Sequence, residues 1–218
     1  MNSHYQETKN FFNKTVLGKK GYYTNPKSIP YLIQERLKEK VLEWVRGYQP
    51  KRILDAGCGR GDFSMALASY FPRAEIEGVD FSEEMVKLAR QSFGNAGRLK
   101  FSQADLLQLP FQDGSFDLVF CLDTLHHIHK DDFPRAIGEI ARVNRKTVIV
   151  EFKNRQTIFW PIYKLLFKKS NPGIEYFGTT LKILLNLFGQ NGFSLKKKYN
   201  IFKHQILSPN ILVQFERK

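Results

Sequence analysis

The residues best suited to chemistry begin where a short apolar stretch, residues 53–56, meets a run of glycines. Gly57, Gly59 and Gly61 stand at alternate positions, two residues after Asp55. Glycine lets the backbone turn sharply and lets a ligand approach, because it carries no Cβ. A strand, a glycine turn and a helix form the nucleotide pocket of open α/β sheets. The alternative is a tight strand-to-helix turn that binds nothing.

The glycine spacing also indicates which ligand the turn would accept. The dinucleotide fingerprint is G-x-G-x-x-G, whereas Gly61 comes one residue early. An acid at Asp55 suits a cationic ligand better than a pyrophosphate. The pattern therefore favours a cationic ligand over a dinucleotide.

A second candidate for chemistry is the histidine pair in Leu125-His126-His127-Ile128. Because an ordinary histidine titrates near neutrality, His126 or His127 is a candidate general base. The alternative is that one or both only pack at the end of a strand. With His129 they could also be read as a metal cluster, but adjacent histidines seldom converge on an ion without a carboxylate partner. We expect no metal.

Strand and helix patterns alternate around these residues, which predicts a parallel sheet with right-handed crossovers. Ser82 is the predicted N-cap of one helix, with two acids in its first turn. The predicted strands are 51–56, 75–80, 98–102, 116–121 and 147–152, and the predicted helices are 62–71, 83–93 and 131–143.

The pattern changes after residue 152. Two late strands with a short connection predict a hairpin, and hence an antiparallel edge on the sheet. At the other end, residues 29–48 predict an amphipathic helix, whereas residues 1–28 lack strong periodicity. The late helices are predicted at 161–169 and at 179–188, the second ended by Gly189 and Gly192, and the late strands at 193–202 and 210–217.

Composition limits the classes of protein to consider. The 218 residues are 42% hydrophobic, which is enough for one packed domain. The sequence has no apolar run long enough to span a bilayer, no signal peptide at its start, and only two cysteines. We therefore expect a cytoplasmic protein.

The net charge of +13 is unevenly distributed. Residues 51–141 carry −4, whereas residues 1–50 carry +5 and residues 142–218 carry +12. Positive charge at the two ends of a chain usually reflects lysine side chains that are exposed to solvent. They also suit an anionic partner, which could be a phosphorylated substrate, a membrane surface or nucleic acid.

The glycine loop, together with the acids and histidines after it, resembles the class I S-adenosylmethionine (SAM) methyltransferases. Ile53-Leu54-Asp55-Ala56-Gly57-Cys58-Gly59-Arg60-Gly61 resembles motif I of that family, and residues 113–121 resemble motif IV. The run from Leu125 to Ile128 resembles the branch that methylates small molecules, which includes ubiquinone, menaquinone, sugar and phenol methyltransferases. The resemblance is close over residues 51–152 and looser towards the C-terminus.

The resemblance implies polar contacts to the cofactor. Asp55 and the loop, including Cys58, would lie against SAM. Asp80 would accept hydrogen bonds from both ribose hydroxyls. Asp105 would accept one from the adenine amino group, and the backbone N–H of Leu106 would meet the ring. The alternatives are that Asp80 caps the next helix and that Asp105 is a turn residue.

Three further cofactor contacts follow from the same resemblance. Phe81 and Met85 would pack against the adenine faces, and the backbone of Cys121 would face the methionine part of SAM. Apolar residues near the start of a helix are more often core, which is the alternative for Phe81 and Met85.

The resemblance also implies the fold. We expect an α/β, Rossmann-like, seven-stranded and mostly parallel sheet with an antiparallel C-terminal strand, helices on both faces and a helical cap. Residues 1–218 would form one domain. Its predicted parts are an N-terminal helical lid (1–50), a SAM-binding core (51–152), a substrate cap (153–190) and C-terminal strands (191–218).

The substrate is expected against aromatic residues of the lid and the cap. Tyr5, Tyr22 and Tyr23 are the candidates on the lid, and Trp160 and Tyr163 are those on the cap. Trp and Tyr flanked by lysines suit a membrane interface. They suit an ordinary cap helix with snorkelling lysines as well.

The sequence therefore predicts a SAM-dependent methyltransferase that acts on oxygen or carbon of a small-molecule or lipid-like, anionic acceptor, in contact with an anionic membrane. Methyl transfer from a sulfonium needs alignment and exclusion of water. An RNA-modifying methyltransferase that binds nucleic acid through its basic flanks is the alternative. Cys121-Leu122-Asp123-Thr124 stands where amino-methyltransferases carry an Asn/Asp-Pro-Pro-Tyr/Phe run, and this difference favours the small-molecule function.

Overall fold

The computed structural model describes residues 3–15, 29–162, 164–165, 175–204 and 207–218. One seven-stranded sheet in the order β3-β2-β1-β4-β5-β7-β6 forms its centre. The strands are β1 (Arg52–Ala56), β2 (Glu75–Asp80), β3 (Leu99–Gln103), β4 (Phe116–Cys121), β5 (Asn144–Lys153), β6 (Phe193–Asn200) and β7 (Asn210–Arg217).

The sheet is mostly parallel, as predicted. The strands β1 to β5 pair in parallel, and β7 runs antiparallel to both β5 and β6. The strand order reverses at β1, which pairs with β2 on one side and with β4 on the other. Open α/β sheets bind ligands at such a reversal, beyond the carboxyl ends of the strands.

Helices cover both faces of the sheet and give it two cores. Successive strand residues point to opposite faces, so Ile53 packs with one core and Leu54 with the other. The helices are α1 (Ser3–Thr15), α2 (Ile29–Trp44), α3 (Asp62–Tyr70), α4 (Glu83–Phe93), α5 (Phe133–Val143) and α6 (Leu181–Gln190). The core residues of α2, α3 and α4 lie with Ile53, and those of α5 and α6 with Leu54.

The predicted cap at Ser82 is confirmed, since the Ser82 hydroxyl accepts a hydrogen bond from the Met85 N–H at 3.3 Å. The predicted end of α6 was wrong, because the helix continues through Gly189 to Gln190. The chain turns away only at Gly192, whose φ of 81° is left-handed. Residues 160–162 and 164–165 are helical, and the rest of the helix predicted at 161–169 lies outside the described residues.

The lack of periodicity in residues 1–28 gave no sign of α1. This helix is mostly polar, and contacts with the rest of the fold secure it. Thr8 is 1% exposed, the Phe12 ring meets Phe81 at 5.8 Å, and Asn13 Oδ1 accepts a hydrogen bond from Ser82. Among the described residues, none of the helices combines the length and apolar character that crossing a bilayer would require.

Candidate active site

The candidate site is a cavity of about 280 Å³ where β1 to β4 end, bounded on its outer side by residues of α1 and α2. It lies at the strand-order reversal, where the sheet topology favours a ligand site. Ten residues predicted from the sequence line it: Asp55, Gly57, Cys58, Gly59, Asp80, Phe81, Met85, Asp105, Leu106 and His127.

Hydrogen bonds hold the glycine loop against the end of β2. The N–H groups of Gly57 and Cys58 both donate to the Val79 carbonyl, at 2.7 and 2.9 Å. The Gly59 N–H donates to Asp80 Oδ2 at 3.0 Å. Loops that cradle phosphate aim successive N–H groups at the anion, whereas these donors are used within the protein. The loop geometry therefore agrees with the prediction against a dinucleotide.

Two glycines of the loop are needed for different reasons. A Cβ on Gly57, whose φ is +85°, would lie 2.8 Å from the Cβ of Thr124. Gly57 thus lets the chain after β4 approach the loop. A Cβ on Gly61 would lie 2.7 Å from the Phe101 ring on β3. Gly61 serves this packing and lies outside the cavity lining.

Two buried carboxylates, Asp55 and Asp80, line the cavity beside the glycine loop. Asp55 Oδ2 accepts a hydrogen bond from the Ser64 hydroxyl at 2.6 Å, and Asp80 Oδ1 accepts one from the Ser82 N–H at 2.9 Å. Burial raises the pKa of each to about 6, although the hydrogen bonds oppose the rise. A ligand that is cationic or donates hydrogen bonds would favour their ionised forms.

Asp105 lines the cavity. It also stabilises a turn, which was the alternative interpretation of this residue from the sequence. Its Oδ1 accepts a hydrogen bond from the Leu107 N–H at 2.8 Å. Leu106 lines the cavity beside it, with Phe81 and Met85 from the start of α4. An acceptor group is thus surrounded by apolar walls, an arrangement that suits a flat polar ring.

The two histidines occupy different environments in the 3₁₀ turn Leu125–His127. His127 lines the cavity, and its ring lies 4.9 Å from that of Phe12. His126 is 2% exposed, is absent from the lining, and packs on Tyr176 at 4.3 Å. Burial holds the pKa of His126 well below its ordinary value, with His127 and Lys153 adding to the effect. His127 is therefore the histidine that can meet a ligand.

A buried ionic cluster that the sequence analysis missed lies behind the histidines. Lys153 Nζ donates to Asp123 Oδ1 at 2.7 Å and to Glu151 Oε1 at 2.9 Å. The Asp123 N–H donates to Glu151 Oε2 at 2.7 Å, and Asn210 Nδ2 donates to Glu151 Oε1. Asp123, Glu151 and His126 bring donor atoms within metal-binding reach of one another, but the Lys153 ammonium already pairs with both carboxylates.

The cluster fixes the backbone that carries the histidines. Asp123 has a φ of 51°, the one non-glycine residue of the described chain with a left-handed backbone. Aspartate tolerates this conformation better than most residues do. Its N–H and side chain are both held, so the chain leaving β4 bends into the cavity wall at a defined place.

Helices α1 and α2 supply lining residues that no local sequence pattern indicated. Phe12 comes from α1, and α2 presents Tyr31, Gln34 and Lys38. The i, i+3 and i+7 spacing places the three α2 residues on one helix face. That face could be recognised as functional only once its orientation towards the loop was known.

Several other predicted site residues are either absent from the cavity lining or lie outside the described part of the structure. Cys121 is fully buried within β4 and is absent from the lining. Trp160 is also absent from it and stacks on Tyr176 at 6.1 Å. Tyr5 belongs to α1, but its side chain lies outside the described part of the structure. Tyr22, Tyr23 and Tyr163 also lie outside the described residues.

Comparison with known proteins connects this cavity with a family. A family model described as "Methyltransferase domain" matches residues 53–147, the segment that runs from the glycine loop to β5. Residues 53–147 therefore match a methyltransferase domain. The matched segment includes the loop acids, Asp105 and both histidines, so the domain carries most of the described site.

The relatives of this methyltransferase domain are similar over part of their length. The demethylmenaquinone methyltransferase of Deinococcus radiodurans is 33% identical over 132 residues, which are 58% of this chain and 54% of that protein. The Thermus thermophilus enzyme of the same name is 32% identical over 142 residues, 63% of this chain and 64% of that protein. The chain thus aligns with between half and two thirds of each relative.

Among solved structures, the magnesium protoporphyrin IX methyltransferase of Synechocystis PCC 6803 with bound SAH has the same fold. Its TM-score is 0.79 at 23% identity, with 98% of this chain and 99% of that chain covered. The predicted fold class, a Rossmann-like methyltransferase sheet with helices on both faces, is therefore confirmed.

Proposed function

We propose that this protein transfers a methyl group from SAM to oxygen or carbon of a small organic acceptor held against His127. The observation that carries the proposal is the arrangement of one cavity. Asp55 and Asp80 enter it from β1 and β2, and Asp105 and His127 enter it from the segments that follow β3 and β4. Relatives named as quinone and malonyl-[acyl-carrier protein] methyltransferases support the reaction class.

The residues present fit SAM. Asp80 offers carboxylate oxygens to ribose hydroxyls, and Gly57 and Gly59 let the ligand approach the backbone. Phe81, Met85 and Leu106 offer apolar surface to adenine. When bound, SAM supplies an electrophilic methyl group on a positively charged sulfur, and the acidic lining favours that charge.

His127 is the group we assign to the acceptor. A neutral imidazole there would take the proton from an acceptor hydroxyl or carbon acid as its atom is methylated. His126 supports it from behind, with the two ring centroids 3.9 Å apart. Because burial keeps His126 neutral, its proposed role is to position His127 rather than to exchange protons.

The acceptor end of the cavity favours a molecule with an apolar body. Phe12, Leu122 and Ile128 line it together with His127. The RNA alternative depends on basic surface, and two lysines of the run on β6 have structural partners. Lys196 lies 3.4 Å from Glu216, and Lys197 donates to the Trp44 carbonyl at 3.1 Å. We therefore favour a small or lipid-like acceptor over a nucleic acid.

Isothermal titration of SAM into a Gly57→Ala variant tests where the cofactor binds. The new Cβ would push on Thr124 and cover the backbone, so the affinity should fall at least about tenfold. Gly47→Ala is the matched control, since Gly47 has a φ of +82° and no atom within 4 Å of a Cβ. A Gly57→Ala protein that binds SAM as tightly as the parent would overturn the placement.

Turnover needs a separate test. The purified protein, a cell extract and SAM with an isotopically labelled methyl group should give a labelled small molecule by mass spectrometry. His127→Asn should lower the labelling rate by about a hundredfold, the usual contribution of a general base. It should leave SAM affinity within about twofold of the parent's. Label in RNA alone would support the alternative function instead.

A further inference from the structure

An apolar surface stands apart from the cavity, on the segment that follows β5. Ten large apolar side chains are exposed in the described part of the chain, and four of them fall between residues 158 and 165. We call these four, Ile158, Phe159, Ile162 and Leu165, the apolar turn. Their exposed fractions run from 44% at Phe159 to 69% at Leu165. Such a concentration of exposed apolar residues marks an interaction surface.

The segment is fixed in place although these side chains are exposed. Trp160 stacks on Tyr176 at 6.1 Å with an interplanar angle of 27°. A Cβ on Gly178 would lie 2.6 Å from the Trp160 ring, so the two pack closely. Thr157 is 4% exposed, and its carbonyl accepts a hydrogen bond from the Trp160 N–H at 3.0 Å. The fold therefore buries one side of this segment and presents the other to solvent.

The same contacts connect the apolar turn with the cavity wall. The Tyr176 ring lies 4.3 Å from that of His126, which lies 3.9 Å from that of His127. The Phe177 N–H donates to the His126 carbonyl at 2.9 Å. A continuous series of ring contacts thus leads from Trp160, beside the apolar turn, to the histidine that lines the cavity.

The charge around the apolar turn identifies its partner. The sequence has no acidic residue between Lys153 and Glu175, whereas it has Arg155, Lys164, Lys168 and Lys169 there. Arg155 and Lys164 are exposed. Apolar side chains flanked only by cations match an anionic lipid surface, where the former enter the interface and the latter meet the headgroups. A nucleic acid would leave the apolar side chains without a partner.

We propose that the apolar turn docks on an anionic lipid bilayer and that the acceptor is an amphiphile drawn from that bilayer. The second half rests on the proposed methyl transfer, since it identifies the substrate class of the same site. Docking would place the His127 end of the cavity near the lipid surface. A lipid-like acceptor could then reach His127 with its apolar body shielded from water.

Vesicle co-sedimentation of the full chain tests the docking. The protein should sediment with phosphatidylglycerol-containing vesicles, less with pure phosphatidylcholine, and less as salt rises. The double variant Ile162→Asp, Leu165→Asp should lower the partition coefficient by at least about tenfold, because two charges replace the inserting groups. The control is Leu185→Asp, Leu195→Asp, since both residues are exposed leucines, at 39% and 37%, on α6 and β6, and it should change partitioning less than about twofold.

Titration with SAM accompanies each variant and reports on the proposed function independently of the lipid. Unchanged SAM binding with lost vesicle binding would support the docking proposal. Parent protein that does not sediment, or equal sedimentation of both double variants, would overturn it. A parent dimer that the Ile162 and Leu165 changes convert to a monomer, without any vesicle binding, would assign the surface to a second copy of the chain and also overturn it.

Discussion

Among single residues, the site depends on two carboxylates whose burial disfavours their charged form. Asp55 and Asp80 are buried, and their hydrogen-bond partners are neutral groups: the Ser64 hydroxyl, and the N–H groups of Gly59 and Ser82. Burial raises the pKa of both to about 6, although the charge of Lys38 opposes the rise at Asp55. The ionised forms of the two carboxylates are therefore fully stabilised only when a suitable ligand binds.

Two opposite trends with pH follow for these acids. An acid whose pKa is raised by folding stabilises the protein below its unfolded pKa and loses that contribution as pH rises through the folded pKa. The melting temperature of the free protein should thus fall between about pH 5 and about pH 7. A cationic ligand that donates hydrogen bonds favours the ionised forms, so the increase in melting temperature on adding SAM should grow over the same range.

Thermal melts with and without SAM across that range measure both trends. In Asp80→Asn the titrating group is lost, so both slopes should become smaller. A SAM-induced increase that stays constant from about pH 5 to about pH 7 would contradict a direct contact between these acids and the ligand.

At the scale of elements, Ser82 couples two helices through one hydroxyl. It accepts a hydrogen bond from the Met85 N–H as the N-cap of α4 and donates one to Asn13 Oδ1 on α1 at 2.7 Å. Phe12, next to Asn13, packs on Phe81 and His127. The docking of α1 therefore depends on the same turn that presents Phe81 to the cavity.

Substitutions can separate the two roles of Ser82. Asn13→Ala removes only the contact with α1, so amide exchange within α1 should quicken while the global free energy of unfolding changes by less than about 0.5 kcal/mol. Ser82→Ala also removes the cap and should cost about 1 kcal/mol more. Hydrogen exchange by mass spectrometry and urea denaturation make the comparison. Equal exchange in the parent and in Asn13→Ala would show that the hydrogen bond does not secure α1.

At the scale of the whole molecule, the buried ionic cluster joins distant parts of the sheet. Lys153 and Glu151 lie on β5, Asn210 on β7 and Asp123 beyond β4. Burial raises the pKa of Glu151, and the Lys153 ammonium opposes the rise. The cluster therefore connects β5 and β7 with Asp123, which lines the cavity after β4.

Removing the cation should be costly, because it leaves the buried Glu151 carboxylate without an ion-pair partner. Lys153→Met should lower the free energy of unfolding by about 3–5 kcal/mol in urea denaturation. The double variant Glu151→Gln, Lys153→Met should recover part of this loss. Lys196→Met breaks an exposed pair with Glu216 and should cost less than about 1 kcal/mol. A similar small loss for Lys153→Met would mean that the cluster does not secure the fold.

Most of the parallel core and of the cofactor end could be predicted from the amino-acid sequence. The five parallel strands are near their predicted positions, and all of the predicted loop and strand-end acids line one cavity. These features are readable because each is local: apolar periodicity follows from backbone geometry, and a glycine turn after a strand needs its residues at fixed spacing. The loop spacing and its preceding acid similarly identified the methyltransferase family.

Three features become visible only in the assembled fold: which histidine faces the cavity, why Gly57 must be glycine, and how α1 is held. Each depends on atoms far apart in sequence, such as the Thr124 side chain 67 residues beyond Gly57. His126 and His127 are adjacent in the chain, yet packing against Tyr176 buries one and leaves the other at the cavity. Burial and contact arise from the assembled fold, so a local pattern cannot contain them.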